Sequence, residues 1–305
     1  MTIANGAQHS IHYVAEATYG TTPSTPTWTP LPNTGTTLAL TKDAIESEKL
    51  RGDRQIEDFR HGNKSISGDV TAELEYGALD PLLEAVMCGT WATDVLKTGT
   101  TRRSFTIERK FSDIAVPEYH RYTGSEFNTL ALSVAPNAMV MATLGVVGKD
   151  LAIATTEVAS STYSADSANT PFDSFTGSIT EGGSSIATVT SFDLTIENGL
   201  DPLFTVGSST TQRPSIGKSR VTGSLTTYFE SNTLYSKFLN ETSSAIVLTL
   251  TDVAGNEIEL NIPNVKYNSG QPDVSGEGAI TVSMDFVALY NSGSASQLVI
   301  TRNPI

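Results

Sequence analysis

"SISGDVTAELEYGALDPLLEAVM", residues 65–87, changes its periodicity halfway along and so predicts a strand that leads directly into a helix. In its first half, side chains alternate with period two, which places apolar residues on one face and Asp69, Glu73 and Glu75 on the other. After Gly77 the leucines recur at helical spacing. The strand is therefore expected to bury one face and to present an acidic face to its surroundings.

A second stretch, "SRVTGSLTTYFESNTLYSKFLN" at residues 219–240, has the same layout of a strand followed by a helix. Aligning the two halves of the chain pairs Gly68 with Gly223 and Leu40 with Leu194, and further strand patterns recur in the same order. Self-similarity of this kind is the signature of a repeated structural unit. The pattern predicts a tandem duplication of a unit of roughly a hundred residues.

Composition favours an all-β protein with minor α content. Of the 305 residues, 38% are hydrophobic and only 17% are charged, and Thr, Ser and Gly are abundant. The formal net charge is −14, and the sequence indicates no basic surface that could bind phosphates. Tight binding of nucleic acid is therefore not expected. Cys88 is the only cysteine, so no intramolecular disulfide is expected. With no leader pattern and no long apolar run, we expect a soluble chain made in a cytoplasm, without membrane contact.

Proline spacing, composition and the repeat together predict four segments along the chain. The prolines of the N-terminal region favour extended structure over packing, and the Ala, Ser and Thr content of the middle of the chain favours a linker. The predicted segments are an extended arm at 1–35, a first β-sandwich at 36–151, a linker or surface excursion at 152–185, and a second β-sandwich at 186–305.

Residues 42–64, "KDAIESEKLRGDRQIEDFRHGNK", are too charged for a core and too long for a tight turn. Acids and bases are evenly mixed along this stretch. Long loops within compact domains are usually functional or disordered. We therefore expect a surface loop that makes contacts with other molecules.

Motifs for catalysis or for cofactor binding are missing from the sequence. His9 and His12 are two residues apart but lack the further ligands, at defined spacing, that a metal site needs. Glu73 and Glu75 have the spacing of any solvated strand face, which disfavours a catalytic pair. We expect no enzyme activity, no cofactor and no metal.

With these patterns in hand, the chain resembles the major tail tube proteins of long-tailed siphophages. In that family an acidic and basic loop ending in "DRQ-x-D", here within residues 48–58, precedes the strand-and-helix pattern found here at 68–85. The second half agrees through "FDLTIENGLDPLFTVGS" and "PDVSGEGAITVSMDFVALY". The resemblance covers nearly the whole chain, and it implies a β-sandwich tail-tube fold flanked by a short helix.

The resemblance also implies an assembly. Such folds form rings, generally of six tube folds, and the rings stack into a hollow tube in the virion tail that conducts double-stranded DNA without binding it specifically. A duplicated chain implies homotrimeric rings with pseudo-sixfold symmetry, whereas a chain with one fold implies homohexamers. Tail terminator, tape measure and baseplate proteins are implied as partners, and assembly is expected in the cytoplasm of the host bacterium.

Acids on the predicted strand faces are candidates for the wall of the lumen, where they would repel DNA phosphates. The candidate lumen-facing acids are Asp69, Glu73, Glu75, Glu230 and Asp285. The charged stretch is the candidate contact between stacked rings, through Glu46, Glu48, Arg51, Arg54, Glu57, Asp58 and Arg60. The alternative function is that of a tandem β-sandwich adhesin or carbohydrate-binding module, which would remain monomeric instead of polymerising.

Overall fold

The computed structural model describes residues 3–272, 274 and 276–303, and it consists mostly of β-strands with two short α-helices in this part of the chain. The all-β fold with minor α content is thus confirmed. In the first half, the elements are β1 (His9–Ala15), β2 (Thr27–Pro30), β3 (Gly35–Thr36), β4 (Ala39–Glu46), β5 (Phe59–Glu73), α1 (Asp80–Met87), β6 (Val95–Lys97), β7 (Phe105–Phe111), β8 (Glu118–Val134), β9 (Met141–Gly148) and β10 (Asp150–Ala154).

The remaining elements lie between residues 162 and 303. They are β11 (Thr162–Tyr163), β12 (Ser178–Glu181), β13 (Ser184–Ser185), β14 (Val189–Glu197), β15 (Asp201–Leu203), β16 (Gln212–Ser215), β17 (Arg220–Tyr228), α2 (Thr233–Leu239), β18 (Ser244–Thr251), β19 (Glu257–Tyr267), β20 (Thr281–Ala288) and β21 (Val299–Asn303).

One continuous antiparallel sheet, here called the long sheet, runs through both halves. Its strands pair in the order β4-β5-β9-β8-β14-β17-β20-β19. The halves meet where β8 pairs with β14, with Leu132 opposite Leu194. Because every pairing is antiparallel, one face of the long sheet can be buried while the other stays solvated.

A second layer covers the buried face of the long sheet in each half. In the first half it pairs in the order β1-β7-β8-β10, and in the second half in the order β12-β18-β19-β21. Strands β8 and β19 belong to both layers. The core between the layers includes α1, whose Leu82 and Val86 are fully buried. The helix begins with Pro81 in its first turn and ends at Cys88, which adopts a left-handed conformation with φ of 47°.

The second half repeats the pairing order of the first in both layers, and each helix follows the second strand of its half of the long sheet. Gly68 and Gly223 occupy the same place in this order. A Cβ on Gly68 would lie 2.6 Å from the carbonyl oxygen of Thr37, and a Cβ on Gly223 would lie 2.3 Å from that of Asp193. Both positions therefore require glycine for the same reason, which is the close approach of the preceding strand.

The strand register corrects one detail of the sequence alignment. Leu40 lies opposite Ile66, whereas Leu194 lies opposite Gly223. Pairing Leu40 with Leu194 was therefore wrong by two residues. The counterpart of Leu194 is Leu38, which is buried and whose backbone approaches Gly68.

Residues 1–35 were expected to form an extended arm, and the structure differs. Strand β1 pairs with β7 along its whole length, and β2 pairs with β1. Ile11 and Tyr13 alternate into the core, and Trp28 is fully buried. The prolines end or flank the short strand β2 and do not prevent packing, since β2 pairs with β1 through only two residues.

Residues 152–185 were expected to form a linker, and here too the structure differs. Strand β12 in this segment pairs with β18, and Phe172 is fully buried in the common core. At the other end of the chain, β21 returns to pair with β6 of the first half. The two expected sandwiches, 36–151 and 186–305, are therefore joined by shared strands and shared core.

Candidate functional site

The face of the long sheet that points away from the core is polar and carries more acids than bases. On β5, Asp69 and Glu73 alternate with the buried Val70 and Ala72. Most other positions on this face are Ser or Thr. The acids on this face include Asp69, Glu73, Asp193, Glu197 and Asp285, and the bases include Arg220 and Lys266. We call this surface the acidic face.

The structure brings together only part of the set of acids predicted to share one surface. Asp69, Glu73 and Asp285 lie on the acidic face, but Glu75 and Glu230 lie beyond the ends of β5 and β17. The two acids of β14, Asp193 and Glu197, were missed. Their signal was present, because in "SFDLTIE" they alternate with apolar residues that the structure buries.

The charged stretch 42–64 was expected to be a loop, but its two ends are the strands of a β-hairpin. Strand β4 continues to Glu46 and β5 begins at Phe59, so that residues 47–58, about half of the stretch, form the connecting tip. Strand β5 pairs with β9 only from Ile66 onward, where Ile66 lies opposite Gly148. Residues 59–65 of β5 do not pair with β9. A two-stranded ribbon with solvent on both faces needs no alternation of apolar and polar residues. Because residues 42–64 lack this alternation, the sequence predicted a loop.

Large apolar side chains are exposed on this hairpin. Ile45 is 57% exposed, Leu50 98%, Ile56 66% and Phe59 50%. Clusters of exposed apolar residues on a soluble protein mark interaction sites. The β4–β5 hairpin is therefore a candidate contact with another molecule.

Half of the acidic and basic side chains of residues 42–64 are paired within the hairpin itself. The ion pairs are Lys49–Glu57 at 2.9 Å, Arg51–Asp53 at 3.1 Å and Arg60–Asp58 at 3.0 Å. Arg54 has a left-handed conformation with φ of 62° at the tip and forms no ion pair with any residue that the structure describes. Glu46 at the end of β4 and Glu48 in the tip are both exposed.

The second half has its own hairpin, β15–β16, between the strands that correspond to β4 and β5. This hairpin folds against the first half instead of projecting. Arg213 Nε donates to Glu126 Oε1 at 2.6 Å, and the backbone N–H of Lys64 donates to the carbonyl oxygen of Ser209 at 2.7 Å. The β15–β16 hairpin therefore bridges the junction between the two halves.

At the opposite end of the long sheet, each half has a cleft. The first-half cleft, about 770 Å³, lies between β1, the end of β5 and residues 165–169, and contains Glu73, Glu75 and Asp166. Burial raises the pKa of Glu75, and a hydrogen bond with Ser167 opposes this rise. The second-half cleft, about 330 Å³, lies at the corresponding place beside Glu230. Glu75 and Glu230 are thus equivalent, but at an end of the sheet and not on its face.

The described residues contain no group of three His, Cys, Asp or Glu side chains arranged to hold a metal ion. His9 instead accepts a hydrogen bond from Arg109 Nε at 3.1 Å. None of the helices in residues 3–272, 274 and 276–303 has the length and apolar character needed to cross a bilayer.

Comparison with known proteins identifies the family of the chain. No curated protein matches the chain. A family model described as phage tail tube protein matches residues 6–288, which is almost the whole chain and includes the long sheet, both hairpins and both helices. The chain is thus a structural component of a phage tail, and it belongs to the phage tail tube protein family.

Proposed function

We propose that three copies of this chain form a ring, and that the rings stack into the hollow tail tube of a long-tailed siphophage, through which double-stranded DNA passes into the host cell. The observation that carries this proposal is the junction of β8 with β14, which joins two similar folds edge to edge in one sheet. The same junction can be repeated between copies, because β4 at one end of the long sheet pairs with no described strand except β5.

Closure into a ring removes the unpaired edges of the long sheet. Open edges are prone to uncontrolled pairing, and a closed barrel has none. At the far end of the sheet, β19 holds the place that β8 holds in the first half, so the β4 of a neighbour would join β19 as β14 joins β8. The repeated strand order and the equivalent glycines support a duplicated fold, and three chains then supply six folds per ring. A homohexamer is the alternative for a chain that contributes only one fold.

In this assembly the acidic face lines the lumen. DNA carries a dense negative charge, so a basic lining would hold it, whereas carboxylates repel it and leave a layer of water and counterions between. Electrostatic effects reach only about 8 Å at physiological ionic strength. Acids on the second layer, which lies about 10 Å further out, therefore contribute little.

Neutralising the acidic face is expected to slow DNA ejection without preventing assembly. The test variant combines Asp69→Asn, Asp193→Asn and Asp285→Asn, whose side chains lie on the face, outside the two clefts, and form no ion pairs with described residues. Ejection is followed by dye fluorescence from phages that carry the variant. The matched control removes the same charge elsewhere with Asp113→Asn, Glu118→Gln and Glu241→Gln. Equal ejection rates for the two triple variants would contradict the lining.

The β4–β5 hairpin is proposed to join one ring to the next. It projects from one end of the long sheet, and the two clefts lie at the other end, so stacked rings bring hairpins and clefts together. Arg54 at the tip has the charge that suits the acids of the first-half cleft.

The tail terminator, tape measure and baseplate proteins are the proposed partners of the tube, at its ends and in its lumen. Assembly is proposed to take place in the host cytoplasm.

Electron microscopy of the purified, concentrated chain tests the proposed function. Rings and tubes are the expected result. Single particles that remain monomeric at every concentration, and that bind glycans on an array, would contradict the tube and favour the carbohydrate-binding module or adhesin.

A further inference from the structure

We propose that Asp58 of one copy forms an ion pair with Lys266 of the next copy in the same ring. The inference rests on the proposed ring, and the ion pair would stabilise the interface between neighbouring copies. It follows from the internal junction between the two halves, which provides a complete example of the contact within one chain.

The internal example is the pair of Arg213 and Glu126. Glu126 is only 4% exposed and receives Arg213 Nε at 2.6 Å, with Arg102 on its other oxygen. Glu126 belongs to β8 of the first half, and Arg213 to the β15–β16 hairpin of the second half. This pair therefore ties the hairpin of one fold to the adjoining strand of the fold beside it.

The register of the long sheet identifies the counterpart of Glu126. Glu126 lies opposite Val147 on β9, and Lys266 lies opposite Val287 on β20. Strands β9 and β20 correspond because each pairs with the strand that carries the equivalent glycine. Lys266 therefore holds, in the second half, the place that Glu126 holds in the first.

The same two glycines identify the counterpart of Arg213. Gly68 lies opposite Val146, and Gly223 lies opposite Phe286, at corresponding positions of β9 and β20. Arg213 precedes Gly223 by ten residues, as Asp58 precedes Gly68. The ion pair at the internal junction thus has a counterpart between copies in which both charges are reversed.

Both partners are available in the single chain. Lys266 is half-buried and forms no ion pair with the residues that the structure describes. Asp58 is paired with Arg60, but the side chains are 52% and 78% exposed, and a pair of this kind contributes only about 0–1 kcal/mol. Exchanging Arg60 for Lys266 on ring closure therefore costs little.

Other charged groups lie near Lys266. Lys218 and Arg220 lie at the same end of the sheet as Lys266 and make no ion pairs with described residues, and Glu197 lies opposite Arg220 in the register of β14 and β17. A copy that approached with its β15–β16 hairpin would instead place Arg213 against Lys266, and like charges would oppose that arrangement.

Charge reversal tests the proposal in the full-length chain. Lys266→Glu and Asp58→Lys are each expected to raise the protein concentration needed for ring formation by at least tenfold, which corresponds to about 1.4 kcal/mol. The double variant is expected to return this concentration close to that of the wild type. Sedimentation velocity measures the ring fraction, and Lys97→Glu, at an exposed residue of β6, is the control for the charge change of Lys266→Glu.

A second experiment avoids any effect of the charge variants on folding. Cysteines placed together at 58 and 266, in a chain whose own Cys88 is buried, should be joined between copies by a short bis-maleimide linker. Covalent species that end at the trimer are expected. Rings that form normally without cross-linking at these positions, or charge variants that assemble like the wild type, would overturn the ion pair and leave the proposed tube intact. A wild-type chain that forms no rings at all would contradict the proposed function itself.

Discussion

Replacing residues 48–57 by the two-residue turn Asn-Gly is expected to abolish tubes while leaving the chain folded and able to form single rings. The deletion removes Leu50 and Ile56, which are 98% and 66% exposed, and Arg54. Full burial of such an apolar side chain contributes about 1.5–3 kcal/mol. Several of these side chains on each copy therefore outweigh the exposed ion pairs of the hairpin, which contribute at most about 1 kcal/mol each.

Electron microscopy distinguishes the possible outcomes for this deletion. The circular dichroism melt should match that of the wild type, because the deleted residues make their ion pairs only with one another. A milder variant, Arg54→Glu, is expected to shorten tubes, and Lys97→Glu is its control. Tubes of normal length from the deletion variant would remove the β4–β5 hairpin from the contact between rings.

Replacing Arg121 by Leu is expected to lower the free energy of unfolding by about 3–5 kcal/mol, the usual effect of leaving a buried charge without its partner. Glu108 is fully buried and lies opposite Arg121 in the register of β7 and β8. Arg121 Nε donates to Glu108 Oε2 at 2.7 Å, and Tyr163 donates its hydroxyl to Oε1 at 2.8 Å. Without Arg121, Tyr163 is the hydrogen-bond donor that remains to the buried carboxylate among the described residues.

Urea denaturation of the unassembled chain measures this effect. The exposed pair provides the control, and Arg60→Leu should change the free energy of unfolding by less than about 1 kcal/mol. The double variant Glu108→Leu with Arg121→Leu should recover most of the loss, because it removes the buried charge together with its partner. Similar stability of the Arg121 and Arg60 variants would show that Glu108 does not depend on its ion pair.

The strand and helix at residues 65–87 could be predicted because a buried layer imposes its period on the sequence. The alternation of Asp69 and Glu73 with Val70 and Ala72 is a direct consequence of one buried and one solvated face. The equivalence of Gly68 and Gly223 was visible for a similar reason, since close backbone contact admits only glycine at both places.

Other parts of the fold have weaker patterns in the sequence and were not predicted. The part of the β4–β5 hairpin that extends beyond β9 has no buried face, so residues 42–46 and 59–65 lack an alternating pattern. Residues 1–35 contain such a pattern at Ile11 and Tyr13, but the neighbouring prolines obscured it. The linker prediction for 152–185 failed because β12 is short and pairs with β18, a strand about seventy residues away, and local composition does not report distant pairing.

The candidate assembly contacts depend on register more than on composition. Glu126 and Lys266 share no local sequence pattern, and their equivalence follows only from the partners of β8 and β19 in the long sheet. Asp193 and Glu197, by contrast, could have been found by extending the alternation test used for β5 to β14. Surface charges become interpretable once the strands that carry them are placed side by side.

The number of chains in one ring shows whether each chain supplies one tube fold or two. Image averages of tubes viewed end-on, together with the mass of single rings from native mass spectrometry, give this number. We expect three chains and six similar lobes in each ring, with the β8–β14 junction and the junction between copies alternating around it. Rings of six chains would contradict the claim that each chain supplies two tube folds.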